Sequence, residues 1–330
     1  MTRAGAILFV TMLLGCAERG PSWTRIDTTG VAPRWGHVAV LDRMRDRMIV
    51  LGGENDFGPQ SSNVIALDLA TLAWSTVPTT QAPSSRTDFG AALDASRDRV
   101  IVVGGRVGLA LSTGEIWQLD LVTNVWSRLP DGPTPRHDVS AVTDGARLWV
   151  FGGAGDFLQS LDDLWELDLA TDTWRLLPAP GDHPIARTSY ALAVFHGSLW
   201  LHGGHDAVSA YHDSWRYHLD TERWERLAPS GDTIAGAHFG HALDPTCGTQ
   251  VTTAGDNLDN FDVSFTDALV LSDTPRIVHL PASTMPTPRD HPSLVVDDAR
   301  RRLILFGGGT VGDGLGTLND AWTRPIESCP

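Results

Sequence analysis

LWVFGG (148–153) and DDLWELDLATDTW (162–174) are the two stretches that decide the fold of this chain. The first is a short apolar run that stops at a glycine pair. The second alternates and closes on Asp168-x-x-Thr171-x-x-Trp174. Both recur. Glycine pairs follow apolar runs at Gly52-Gly53, Gly104-Gly105, Gly152-Gly153, Gly203-Gly204 and Gly307-Gly308, and Ala254-Gly255 fills the one gap. Tryptophans keep the same period of about 50 residues at Trp23, Trp74, Trp126, Trp174 and Trp224, with Ile277 in the next slot. Each unit opens at an arginine: Pro33-Arg34, Ser85-Arg86, Pro135-Arg136, Ala186-Arg187 and Pro288-Arg289, with Ala235-Gly236 in the fifth copy. The runs between these markers are short, rich in β-branched and aromatic residues, and bounded by Gly, Pro, Asp or Asn. That is the chemistry of strands, four to a unit. The Asp-x-x-Thr-x-x-Trp spacing predicts a tight turn between the third and fourth strands, because a short polar side chain can bond nearby backbone N–H groups.

Six four-stranded units predict an all-β propeller. The order Arg…Gly-Gly…Asp-x-x-Thr-x-x-Trp resembles the kelch repeat over residues 23–330. The resemblance implies a six-bladed kelch-type β-propeller with four antiparallel strands per blade. The last unit stops after Asn319-Asp320-Ala321-Trp322 and lacks a closing Trp. The chain meanwhile begins with an orphan fourth-strand segment, Ser22 to Ile26. The N-terminal strand is therefore expected to complete blade six and close the ring, which removes an exposed sheet edge.

Composition narrows the function classes. All 25 basic residues are Arg, so a Lys Schiff base and a Walker-type phosphate loop are excluded. The net charge of −15 argues against a sequence-independent grip on nucleic acid. Residues 1–15 read as a signal peptide, with Arg3 ahead of the apolar run Ala6 to Leu14. Leu13-Leu14-Gly15-Cys16 resembles the lipobox of bacterial lipoproteins. The resemblance implies cleavage before Cys16, lipid on its sulfur, residues 16–22 as a short tether, and residence in the cell envelope at the outer membrane, attached to lipid by acyl chains alone. Cys247 and Cys329 remain, an even count that suggests a disulfide in an exported chain.

Loops after the second strand and before the first strand share one face of a propeller, and loops on a rigid scaffold are where binding sites concentrate. Arg34, Arg86, Arg136, Arg187 and Arg289 are the repeated candidates there. They would ring the channel mouth and hold an acidic group, or else pair with acids of the blades. Glu54, His137 and His238 join them as candidate ligand-binding residues, with Arg106, Asp138, Asp290 and His291 close by. No metal site or cofactor is assigned. Asp256 to Asp262 carries oxygen ligands without the spacing of a calcium-binding EF-hand loop, and His202 fills a packing slot held elsewhere by Leu51, Val103, Phe151 and Phe306. Two functions fit. The first is a non-catalytic, surface-anchored, monomeric binding module that presents a loop-lined polar face to a protein or glycan partner. The alternative is a carbohydrate-active kelch enzyme resembling N-acetylneuraminate epimerase, with Arg136 or Arg187 holding the carboxylate of an acidic sugar and His137, His238 or Glu54 moving a proton.

Overall fold

The structure, a computed structural model, describes residues 20–330 apart from 57, 60–62, 109–110, 232–235, 237, 256–264 and 311–315. The leader, Cys16 and the acidic run Asp256 to Asp262 lie outside the described residues.

Among the described residues, six four-stranded antiparallel sheets form the body of the chain, with three short two-stranded ribbons in the loops. Blade one is built from Val38–Asp42, Arg47–Leu51, Val64–Asp68 and Trp74–Val77. Blade two follows with Gly90–Asp94, Arg99–Val103, Ile116–Asp120 and Trp126–Leu129. Blade three uses Ala141–Thr143, Arg147–Ala154, Ser160–Asp168 and Thr173–Leu177. Blade four uses Ala191–Phe195, Ser198–His202, Ser214–His218 and Arg223–Leu227. Blade five uses Gly240–Asp244, Thr249–Thr253, Thr266–Val270 and Arg276–His279. Blade six has Ser293–Asp297, Arg302–Phe306 and Ala321–Pro325, and its fourth strand is Thr24–Ile26 from the start of the chain. Arg25 pairs with Trp322 and Ile26 with Ala321. Trp23 is buried among Val251, Leu294, Val296 and Leu303, so the closing strand is packed as well as hydrogen-bonded.

The first strands of neighbouring blades touch one another right round the ring, blade six against blade one included. They therefore form the wall of a central channel. Alternate side chains of each blade pack against the next. Ile49 and Leu51 of blade one meet Val100 and Val102 of blade two, and Phe151 of blade three meets Leu199 and Leu201 of blade four.

The turn expected from Asp-x-x-Thr-x-x-Trp is present. Asp68 Oδ1 accepts from the backbone N–H groups of Ala70 and Thr71, and Asp120 and Asp168 accept from the matching groups of their turns. The glycine pairs have a second task. The N–H of the second glycine donates to the carbonyl of the arginine that opens the next blade: Gly53 to Arg86, Gly105 to Arg136, Gly153 to Arg187, Gly255 to Arg289, and Gly308 to Arg34 across the closure. Gly204 reaches Gly236 in the same way. Both residues of each pair have positive φ, which L side chains rarely adopt. A Cβ on Gly104 would lie 2.4 Å from the Arg136 carbonyl oxygen. Cys247 and Cys329 are bridged, with Cα atoms 5.2 Å apart, tying the C-terminus to a turn of blade five.

Candidate functional site

The opening arginines are clamps inside the blades. Arg187 is 0% exposed. Its Nη1 and Nη2 donate to the two carboxylate oxygens of Asp213, Nη1 also donates to the Gly203 carbonyl, and Nε donates to the Ile185 carbonyl. Arg136 holds Asp163 and the Gly152 carbonyl in the same pattern, and Arg289 holds Asp320 and the Gly307 carbonyl. Arg86 bonds Glu115 and the Gly104 carbonyl. In all four blades a tryptophan two residues after the acid donates its Nε1 to the same carboxylate: Trp117, Trp165, Trp215 and Trp322. Arg34 departs from the pattern. Asn63 stands where the acid would be; among the described residues Arg34 Nη1 reaches the Gly52 carbonyl and its Nε has no partner, and burial pushes its pKa down to about 10. Blade five replaces the pair altogether, with Gly236 for the arginine and Phe265 for the acid. A Cβ on Gly236 would meet Phe265 at 3.2 Å. None of the five arginines lines the channel. Of the two arrangements expected, ring or pairing, it is the pairing that is found: the guanidinium groups are buried and mostly bonded, because four blades supply their own acid.

The mouth is made by the residues two positions after the clamp. These are Gly36, Asp88, Asp138, Ser189, His238 and His291, one from each blade. All six have a left-handed backbone, with φ between 45° and 61°. A turn repeated six times around an axis puts these residues at equivalent places, and all six line one cavity of about 470 Å³. Its walls are the inner strands, where small side chains such as Ala39, Ala91, Ala141, Ala193 and Ala242 leave the space open.

The ring is chemically divided. Asp88 and Asp138 come from adjacent blades, and His238 and His291 from another adjacent pair. The imidazole rings of His238 and His291 lie 4.4 Å apart, and Trp35 meets His291 edge-on at 5.6 Å. Burial, then the Asp138 charge, push the Asp88 carboxyl up to about 6. Burial opposes ionisation of Asp138 too, but its contact with His291 holds that carboxyl below its ordinary range. Burial likewise opposes protonation of His291, while Asp138 and Asp290 outweigh it and raise its pKa well above the ordinary value. His137 sits just outside the ring. Its Nδ1 is 2.9 Å from Ser112 Oγ and its Nε2 is 3.5 Å from Asp138. Burial lowers its pKa. His205 Nε2 is 2.8 Å from His238 Nε2. Glu54 lies on the same face, paired through its backbone with Trp35. Arg106 Nη2 approaches Asp138 to 3.9 Å. His202 packs as expected, buried with its Nδ1 2.9 Å from Ser214 Oγ.

Around this mouth the loop tips of three consecutive blades carry apolar side chains into solvent. Leu111 of blade two is 66% exposed, Phe157 of blade three is fully exposed, and Val208 of blade four is 85% exposed. Each sits between the second and third strands, on the face of the ring. Ile185, in the segment leading to Arg187, is also exposed.

Sequence comparison matches the chain from the closing strand into blade five. Residues 17–132 and 58–255 match the KLHDC2/KLHL20/DRC7 Kelch-repeats domain. The chain belongs to the Kelch-repeat family. Among relatives, this Kelch propeller is similar to acyl-CoA-binding domain-containing protein 4 of Arabidopsis thaliana, 30% identical over 71% of this chain and 36% of that protein. It is also similar to Kelch domain-containing protein 10 of Rattus norvegicus, 26% identical over 62% of this chain and 53% of that one. Acyl-CoA-binding domain-containing protein 5 of Arabidopsis thaliana is 30% identical over 39% of this chain and 20% of its own length. The matched part thus spans between a fifth and about half of each of these relatives.

Proposed function

We propose that this Kelch propeller is a non-catalytic binding module whose loop face receives a protein or glycan partner. The observation that carries the reading is the crescent of Leu111, Phe157 and Val208 in solvent beside the polar mouth. Large apolar side chains grouped on one face are a cost in water unless something covers them, and such patches mark interaction sites. The crescent favours a protein over a glycan, with the mouth taking a polar group of that partner. The epimerase-like alternative needs a guanidinium for a sugar carboxylate. Arg136 and Arg187 are already bonded to Asp163 and Asp213, which counts against it.

We further propose that the module is carried on the cell envelope as a lipoprotein through its leader and Cys16, which acyl labelling of the chain and of Cys16→Ser would test. The partner reading is tested by comparing the full chain, a Leu111→Ser/Phe157→Ser/Val208→Ser variant and a Met44→Ser/Val122→Ser variant as baits. Met44 and Val122 are equally exposed but sit in turns on the opposite face. The loop-face variant is expected to lose a partner that the other two retain. Equal retention by all three would overturn the proposal.

A further inference from the structure

Three of the six left-handed positions bring metal-ligating side chains to one point. Asp88 of blade two, Asp138 of blade three and His291 of blade six each offer one atom, and these atoms all lie within 4.8 Å of one another. Blade one separates blade six from blade two. Its ring position is Gly36, which has no side chain to intrude. A Cβ there would sit 2.6 Å from Asp88 Oδ1.

The polar atoms of this cluster are under-used. Asp88 is only 7% exposed, yet its Oδ1 has no hydrogen-bond partner among the described residues. Asp290 Oδ1 and His291 Nδ1 are likewise buried without one. Buried polar atoms are nearly always satisfied, so the orphaned Asp88 Oδ1 at the cluster calls for a bound group, while the Asp290 and His291 Nδ1 orphans lie on the far side of the imidazole. The spacing says what kind. His291 Nε2 is 3.4 Å from Asp138 Oδ1, longer than a charge-assisted hydrogen bond. Two ligand atoms each about 2.1 Å from a tetrahedral ion are about 3.4 Å apart. Behind the imidazole, Asp290 Oδ2 stands 3.9 Å from His291 Nδ1, the place of the carboxylate that commonly orients a metal-bound histidine.

We infer that the mouth binds one divalent first-row transition-metal ion, of the zinc or cobalt kind, through Asp88, Asp138 and His291, with Asp290 positioning the imidazole. One nitrogen and two carboxylates suit such an ion, whereas calcium takes six to eight oxygens. The remaining coordination position faces the mouth and is open to water or to a partner's carboxylate. The inference goes beyond the binding reading and does not depend on it, because the ion needs no partner.

The test strips the full chain with chelator, reloads it separately with Zn²⁺, Co²⁺ or Ca²⁺, dialyses it, and measures metal content by elemental analysis. One equivalent of Zn²⁺ or Co²⁺ is expected, without retained Ca²⁺, and the Co²⁺ form is expected to show the visible absorption of a four-coordinate nitrogen–oxygen site. Asp138→Asn and His291→Gln should each weaken Zn²⁺ binding by at least 100-fold, and Asp290→Asn by 10- to 100-fold. His279→Gln, on the outer strand of blade five, should leave it unchanged. Asp88→Asn, nearly isosteric, decides the matter if another variant fails to fold. No stoichiometric Zn²⁺ in the wild type, binding unchanged in the ligand variants, or a thiolate charge-transfer band that assigns the ion to Cys16 would each overturn the inference.

Discussion

Replacing Arg187 by alanine should cost the propeller about 3–5 kcal/mol, the range for breaking a buried ion pair by removing one partner. Arg187 is fully buried and closes both oxygens of Asp213. The variant would leave that carboxylate, whose side chain is 16% exposed, with Trp215 Nε1 as its remaining strong donor. The Gly203 and Ile185 carbonyls would lose their donors as well. Because Asp213 keeps some contact with water, the lower end of the range is expected. Blade five supplies the internal control, since it fills the same place with Gly236 and Phe265. Copying it, as Arg187→Gly with Asp213→Phe, removes charge and counter-charge together and should recover most of the loss, because apolar replacement of a whole buried pair is often neutral. Arg34→Leu should be cheap for the same reason, roughly 1 kcal/mol or less, as no acid is orphaned there. Urea unfolding of the four chains, read as midpoints at constant slope, measures the differences. An Arg187→Ala cost below about 1 kcal/mol, or an Arg34→Leu cost equal to it, would refute the clamp account.

Three further outcomes follow from the same geometry. Ala254 holds a left-handed φ of 56° where the other blades have glycine, so Ala254→Gly should stabilise the fold by roughly 1 kcal/mol in urea unfolding. Burial keeps His37 and His202 neutral, with pKa values lowered to about 3 and about 4. Well above pH 6.5, where the unfolded imidazoles are neutral too, neither adds pH dependence. As the pH falls below that, the unfolded chain binds protons that the fold refuses, so stability should drop by roughly 4 kcal/mol between pH 7 and pH 5 from the pair, and His202→Phe should show about half that dependence. Cys247→Ser with Cys329→Ser opens a link across 82 residues and should cost up to about 4 kcal/mol, detected as a lower melting temperature that reductant no longer changes.

Much of the ring was legible because its markers repeat with the same residue. Gly pairs and tryptophans gave the period, and the orphan segment at Trp23 matched the vacancy after Trp322. The acid partners of the arginines were legible too, had the acid-x-Trp signal been read beside them: Glu115-x-Trp117, Asp163-x-Trp165, Asp213-x-Trp215 and Asp320-x-Trp322 occur in four of the five blades that carry the arginine. Blade one lacks the acid and blade five lacks both. The mouth was harder to see. Its six positions share a backbone conformation and no side-chain chemistry, being Gly, Asp, Asp, Ser, His and His, so a search for repeated residues passes over them. Asp138, Asp290 and His291 were noticed only as neighbours of arginines, and Asp88 was missed. Convergence of residues about 50 or more positions apart appears only once the ring is closed.

The loop face as the working surface is tested most directly by site-specific photocrosslinking in living cells. A photoreactive residue replaces Phe157, Leu111 or Val208 in turn, and Met44 or Val122 on the opposite face. Discrete adducts with one partner are expected from the first three positions and from neither of the last two. Adducts arising from Met44 and Val122 but not from the loop tips would contradict the account.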